Sequence, residues 1–131
     1  MGVVIYLVDT HAVLWWLTDS PELSPKARGL LADPGNRLLV SSASAWEVAT
    51  KFRLGKLPSA AVIANDFADW VAKMGADELP ITFAHAHRAG LFPQPHRDPF
   101  DRMLAAQSLL EDVPLVSRDT ALDAFGVTRL W

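Results

Sequence analysis

Apolar and polar positions along the chain fall into short blocks that alternate between two periods. Val3-Val4-Ile5-Tyr6-Leu7-Val8 is apolar at every position and ends at Asp9. So short an uninterrupted run predicts a strand buried on both faces, the kind found inside a parallel sheet. His11 to Thr18 then predicts a short helix. Ser24-Pro25 carries the start signal of another, with serine as cap and proline at the first helical position, and that helix runs to about Ala32. Asp33-Pro34-Gly35-Asn36 predicts a turn, Arg37 to Val40 a second strand and Ser42 to Phe52 a second long helix. Gly55 to Pro58 breaks the pattern. From Ala60 to Lys73 the apolar residues Val62, Ile63, Phe67, Trp70 and Val71 fall on one helical face. Glu78 to Ile81 predicts a short strand, and Phe83 to Ala89 a helix capped by Thr82. After a proline-containing loop, Asp98-Pro99 opens a helix to about Glu111. Val113 to Ser117 predicts a strand, Asp119 to Phe125 a helical turn and Val127 to Leu130 a last strand.

Strands alternating with helices imply βαβ units, right-handed crossovers and a mainly parallel sheet with helices on both faces, a three-layer α/β/α sandwich. In such sheets ligands bind beyond the carboxyl ends of the strands. The pattern contains no repeat and no linker, and 131 residues are the usual size of one domain, here spanning 1–131.

Composition sharpens this picture. Half of the residues are hydrophobic and 21% are charged, which fits a compact globule. There is no cysteine, which excludes a disulfide scaffold, a thiolate zinc site and a cysteine nucleophile. The apolar run at the start is too short for a signal peptide or a membrane span, so the expectation is a soluble cytoplasmic protein without a membrane partner. A formal charge of −3 argues against broad electrostatic adhesion to nucleic acid.

The acids lie where the pattern puts strand ends and helix starts. Asp9 follows the first strand, Glu47 sits early in the helix after the second, Asp98 and Asp101 open the long late helix, and Asp119 follows the fourth strand. Each has a structural explanation as a helix cap. Ser44-Ala45-Trp46-Glu47 fits a capping box, and Asp98 before Pro99 fits an N-cap. Together they suggest more, because caps use serine, threonine or asparagine as readily. Several carboxylates at one sheet edge repel one another unless a cation or protons neutralise them. An oxygen-only donor set selects a hard cation such as Mg²⁺ or Mn²⁺, suited to hydrolysis of a phosphodiester.

Four stretches carry a family resemblance: Leu7-Val8-Asp9-Thr10-His11, Ser44-Ala45-Trp46-Glu47-Val48-Ala49, the run His96 to Gln107 containing Asp98-Pro99-Phe100-Asp101, and Leu115-Val116-Ser117-Arg118-Asp119. In order and spacing the chain resembles a PIN-domain ribonuclease, and within that family a VapC-like toxin of a bacterial toxin–antitoxin pair. The resemblance implies a PIN-like sandwich with an acidic quartet, Asp9, Glu47, Asp101 and Asp119, as catalytic and metal-holding residues. Asp98 and Ser117 are further candidates near the metal. It implies cleavage of RNA through metal-activated water with Mg²⁺ or Mn²⁺, a cognate antitoxin protein and a homodimer.

Other residues stand beside the quartet. Arg97, Arg102 and Arg118 adjoin the acids and are candidates to hold substrate phosphate or to pair with the carboxylates. Lys51, four residues after Glu47, predicts a helical ion pair. The histidines His11, His85, His87 and His96 do not form a metal set. Trp15, Trp16, Trp46, Phe67 and Trp70 are expected in the core or at a subunit interface. Two alternatives stand beside the nuclease. One is a non-catalytic PIN-like module binding protein or RNA. The other is an aspartate-nucleophile phosphatase, which Asp9-Thr10-His11 fits poorly because the usual second acid is missing.

Overall fold

A computed structural model describes residues 3–57 and 60–131. The elements run β1 (Ile5–Val8), α1 (Thr10–Leu17), α2 (Pro25–Ala32), β2 (Arg37–Ser41), α3 (Ser42–Arg53), α4 (Ala61–Asn65), α5 (Phe67–Lys73), β3 (Ala76–Leu79), α6 (Phe83–Leu91), α7 (Pro99–Glu111), β4 (Leu115–Val116), a 3₁₀ helix (Thr120–Phe125) and β5 (Arg129–Leu130). The strands form one sheet in the order β3-β2-β1-β4-β5, and every pairing is parallel.

The two-faced apolar strands explain the layers. Alternate side chains point to opposite faces. Tyr6 and Val8 of β1, Leu38 and Val40 of β2 and Val116 of β4 pack with α1, α2 and Val71 of α5 on one face. Leu7, Leu39 and Leu115 pack on the other face with Leu104 and Ala105 of α7 and with Leu122 and Phe125 of the 3₁₀ helix. A smaller cluster joins Leu14 of α1, Val48 of α3 and Ile63 of α4.

Chain direction places the functional edge. From β1 the chain steps outward through β2 to β3, then returns to the far side of β1 as β4 and continues to β5. The switch point lies between the carboxyl ends of β1 and β4, where open α/β sheets bind ligands. A backbone bond seals that junction, from Asp9 N–H to the Val116 carbonyl at 3.0 Å, and Ser117 N–H ties β4 to β5 through the Leu130 carbonyl at 3.1 Å.

Three expectations need correction. The stretch 60–73 is two helices, α4 and α5, parted at Asp66 with φ −131° and ψ 46°. Asn65-Asp66 are poor helix formers, and the bend sends Ile63 into the small cluster while Val71 reaches the main one. The third strand is Ala76–Leu79, two residues earlier than the sequence suggests, because Ala76 pairs with Leu38 and joins its core. Ser44 does not cap α3. Ser41, still extended at the end of β2, accepts from Ala43 N–H at 2.9 Å, which puts Ser44 inside the helix and leaves Glu47 in its second turn. Of the break expected over Gly55 to Pro58, Gly55 takes φ +74° after α3, and Pro58 lies outside the described residues.

Candidate active site

Asp9 is the N-cap of α1, its Oδ1 accepting from Ala12 N–H at 2.8 Å. It is buried, and the Ser117 hydroxyl nearby favours its charged form. Burial lifts its carboxyl above the ordinary range; Ser117, the bond from Ala12 and the nearby His11 pull it down, and Glu47 pushes it further up. Ser117 is fully buried at the end of β4, and its Oγ also accepts from Asp119 N–H at 3.1 Å. Ser117 thus lies near the acid after β1 and bonds the main chain of the acid after β4.

Glu47 is buried, and Lys51 one turn later reaches its Oε2 at 2.6 Å, the ion pair that the spacing predicts. Thr10 Oγ1 donates to Ser44 Oγ at 2.9 Å in a buried contact. That contact ties the start of α1 to the first turn of α3 and so holds Asp9 near Glu47.

Asp98 caps α7, accepting from Phe100 N–H at 2.9 Å and from Asp101 N–H at 3.3 Å. Asp101, one step further, meets His96 Nε2 at 2.9 Å. Burial pushes the Asp101 carboxyl up to about 6; the bond from His96 opposes this, while the charges of Asp98 and Asp119 add to it. Asp119 is exposed and caps the 3₁₀ helix through Ala121 N–H at 3.0 Å.

The acids thus fall into two linked groups, Asp9 with Glu47 and Asp101 with Asp98 and Asp119. Among the described residues no three acids or histidines converge as a closed metal cage. The physical reason is that each carboxylate is engaged locally, by a cap, by Lys51 or by His96. In donor type the set fits a hard cation: it is all oxygen, and burial raises the carboxyls of Asp9, which is buried, and Asp101, which is half-buried.

The three arginines part company. Arg102 is committed to main-chain carbonyls: Nε to Ala89 at 2.9 Å, Nη1 to Gln94 at 2.9 Å and His96 at 3.0 Å, and Nη2 to Phe92 at 2.6 Å. This corrects its reading as a phosphate contact, for it clasps the loop between α6 and α7. Arg97 is exposed. Arg118 stands over the Trp15 ring, 4.4 Å from its centroid, and pairs with Glu22. With Asp9, His11, Trp15, Asp119 and Thr120 it lines a cleft of about 420 Å³.

Sequence reasoning missed several positioning groups. His96, weighed only as a metal ligand, is the partner of Asp101. Arg129 bonds both Asp123 oxygens, at 2.8 and 3.3 Å, and the Ser117 carbonyl at 3.1 Å, fixing the turn that carries Ser117. No local spacing marks either contact, since both bridge separate segments. Trp46, expected in the core or at an interface, is 60% exposed and meets Phe100 edge-on at 4.8 Å.

Comparison with known proteins agrees with this architecture. The PIN domain profile matches residues 6–127. Ribonuclease VapC16 of Mycobacterium tuberculosis is 41% identical over 64 residues, which cover 48% of this chain and 45% of that protein, so the match spans about half of that relative. The crystal structure of VapC20 from M. tuberculosis, a sarcin-ricin loop cleaving toxin, superposes with a TM-score of 0.67 at 16% identity, over 93% of this chain and 95% of that one. VapBC2 of Rickettsia felis, solved with a DNA fragment from its promoter, gives 0.66 at 14% identity, over 97% and 98%. At such identities the structural likeness speaks for the fold.

Proposed function

The chain belongs to the PIN-domain family, and from that premise we propose that it is a metal-dependent endoribonuclease, the toxin of a toxin–antitoxin pair, acting in the cytoplasm. One observation carries the reading. Asp9 and Asp119 follow the neighbouring strands β1 and β4 at the switch point, with Glu47 near enough to raise the Asp9 carboxyl and Asp119 near enough to raise that of Asp101.

Asp9, Glu47, Asp101 and Asp119 would hold the Mg²⁺ or Mn²⁺, with Asp98 and Ser117 beside them. Bound there, the cation would supply Lewis-acid stabilisation of the phosphate and a more acidic water. The protein's own groups do the positioning. Ser117 stands near the Asp9 carboxylate, His96 holds that of Asp101, and Lys51 pairs with the buried Glu47. Arg97 and Arg118 remain as candidates for substrate phosphate. The expected products carry a 5′-phosphate and a 3′-hydroxyl.

The antitoxin partner is supported by the similarity to ribonuclease VapC16 and to a toxin solved as part of VapBC2. A homodimer is supported by apolar side chains left in solvent: Trp46, Phe83, which is 90% exposed, and Leu91. Exposure of such large side chains marks an interaction surface. The test of the activity is cleavage of labelled RNA by purified protein with Mg²⁺ or Mn²⁺, against EDTA and against Asp9→Asn. Loss of cleavage in both controls is expected, and activity that survives them contradicts the mechanism.

A further inference from the structure

The cleft beside Asp9 and Asp119 contains chemistry that cation binding does not need. Its other walls are His11, Trp15, Arg118 and Thr120, which present an imidazole, an indole, a guanidinium and a hydroxyl. His11 is exposed and backed by Trp15, with ring centroids 5.5 Å apart. Trp15 is braced in turn by Trp131 at 5.8 Å. The indole also carries the Arg118 guanidinium. Stacking of this kind pre-orders a long side chain, so less freedom is lost when it takes a ligand.

Glu22 holds Arg118 from the segment before α2, and the two side chains are 55% and 52% exposed. An ion pair so open to water contributes little to folding and exchanges readily. Its partner can be any better anion, and the anion that comes to an edge of nuclease carboxylates is phosphate. Guanidinium binds phosphate through two parallel bonds, which one exposed carboxylate on a flexible stem does not outcompete.

We propose that this cleft is a nucleotide subsite, in which Arg118 takes a phosphate flanking the scissile one, the His11 ring backed by Trp15 takes an unpaired base, and Glu22 is the competitor that phosphate displaces. The proposal rests on the nuclease reading and names how that site grips its substrate. It selects single-stranded or looped RNA, because a paired base does not offer its face to a ring. It also resolves the charge problem. The acids repel the RNA backbone, and a pre-ordered cation stacked at their border supplies the local attraction that a chain of net charge −3 lacks.

The test measures binding of short fluorescent single-stranded RNAs of different base composition by anisotropy in EDTA, where the RNA stays intact, for the wild type, Arg118→Gln, His11→Ala, Glu22→Gln and the double variant Glu22→Gln/Arg118→Gln. Circular dichroism confirms that each is folded. Loss of the charged contact predicts about tenfold weaker binding for Arg118→Gln. Glu22→Gln tightens binding severalfold, and this gain vanishes in the double variant, a coupling that a merely structural role for Arg118 does not produce. His11→Ala changes the ratio of purine to pyrimidine affinities. Unchanged affinity for Arg118→Gln, or a Glu22→Gln gain that persists without Arg118, overturns the subsite. Both surface variants, His11→Ala and Glu22→Gln, keep the test decisive if Arg118→Gln does not fold. The two readings fail separately. Wild type that cleaves RNA with Mg²⁺ while all variants bind alike removes the subsite and leaves the nuclease. Variant-dependent binding without any cleavage removes the nuclease.

Discussion

Asp101 carries a carboxyl held well above its ordinary range. Its carboxyl titrates near 3.8 in an unfolded chain and at about 6 in the fold, chiefly through burial. Below the lower value it is protonated in both states and costs nothing. As pH rises between the two, the unfolded chain ionises first, so stability falls across that window and stays lower above it. The full shift corresponds to ~3 kcal/mol, of which partial solvent access leaves ~1–2. Asp101→Asn should therefore stabilise the metal-free protein by that amount at neutral pH and have no such effect below pH ~4. Urea unfolding at the two pH values checks this, and destabilisation at neutral pH contradicts the assigned cause. Mg²⁺ or Mn²⁺ should raise the melting temperature of the wild type at neutral pH more than that of Asp101→Asn, since a ligand that binds only the folded state stabilises it.

Arg102 is the structural counterpart. Removing a guanidinium that serves several carbonyls leaves buried acceptors unpaired, so Arg102→Ala should cost ~2–4 kcal/mol in urea unfolding. It should also speed hydrogen exchange in the loop between α6 and α7. Arg102→Lys should not rescue it, because an ammonium lacks the planar fork. These carbonyls belong to the main chain and have no side-chain identity, so the clasp leaves no mark in the sequence. The acids are different. Asp9, Asp98 and Asp119 each precede a helix that needs a cap, and the sequence shows both acid and helix.

At the scale of elements, what was legible follows from periodicity. The strand cores of β1 and β2 alternate between two apolar faces, and no other placement buries both. The parting of α4 from α5 was hidden because Ile63 and Val71 fit one ideal helical face; only the packing shows that they serve different clusters. The cap of α3 was misplaced because Ser41, Ser42 and Ser44 are all competent caps, and the end of β2 decides among them. The Thr10–Ser44 contact between α1 and α3 gives an element-level prediction. Thr10→Val should lower cleavage at least ~tenfold while changing stability by no more than ~1–2 kcal/mol, since it loosens the spacing of Asp9 and Glu47 more than it disturbs the core. On α6, Phe83→Glu should shift the protein to a monomer in analytical ultracentrifugation; an unchanged association state contradicts the proposed dimer face.

Across the whole molecule, topology makes the site. Asp9 and Asp119 come near one edge because β1 and β4 are neighbours at the switch point, and α3 packs on α7, the helices that carry Glu47 and Asp101. The sequence announced which residues belong to that edge but not how they are held apart. Each is engaged locally instead, Glu47 by Lys51, Asp101 by His96 and the others by the helix starts they cap.

The most direct test is a single-turnover cleavage assay on labelled single-stranded RNA, comparing wild type, Asp9→Asn, Glu47→Gln, Asp101→Asn and Asp119→Asn with Mn²⁺ and with EDTA. Cleavage by wild type in Mn²⁺ alone, with each substitution lowering the rate by ~10²-fold or more, is the expected result. Undiminished cleavage in EDTA, or by the Asp9 and Asp101 variants, contradicts a cation held by these carboxylates.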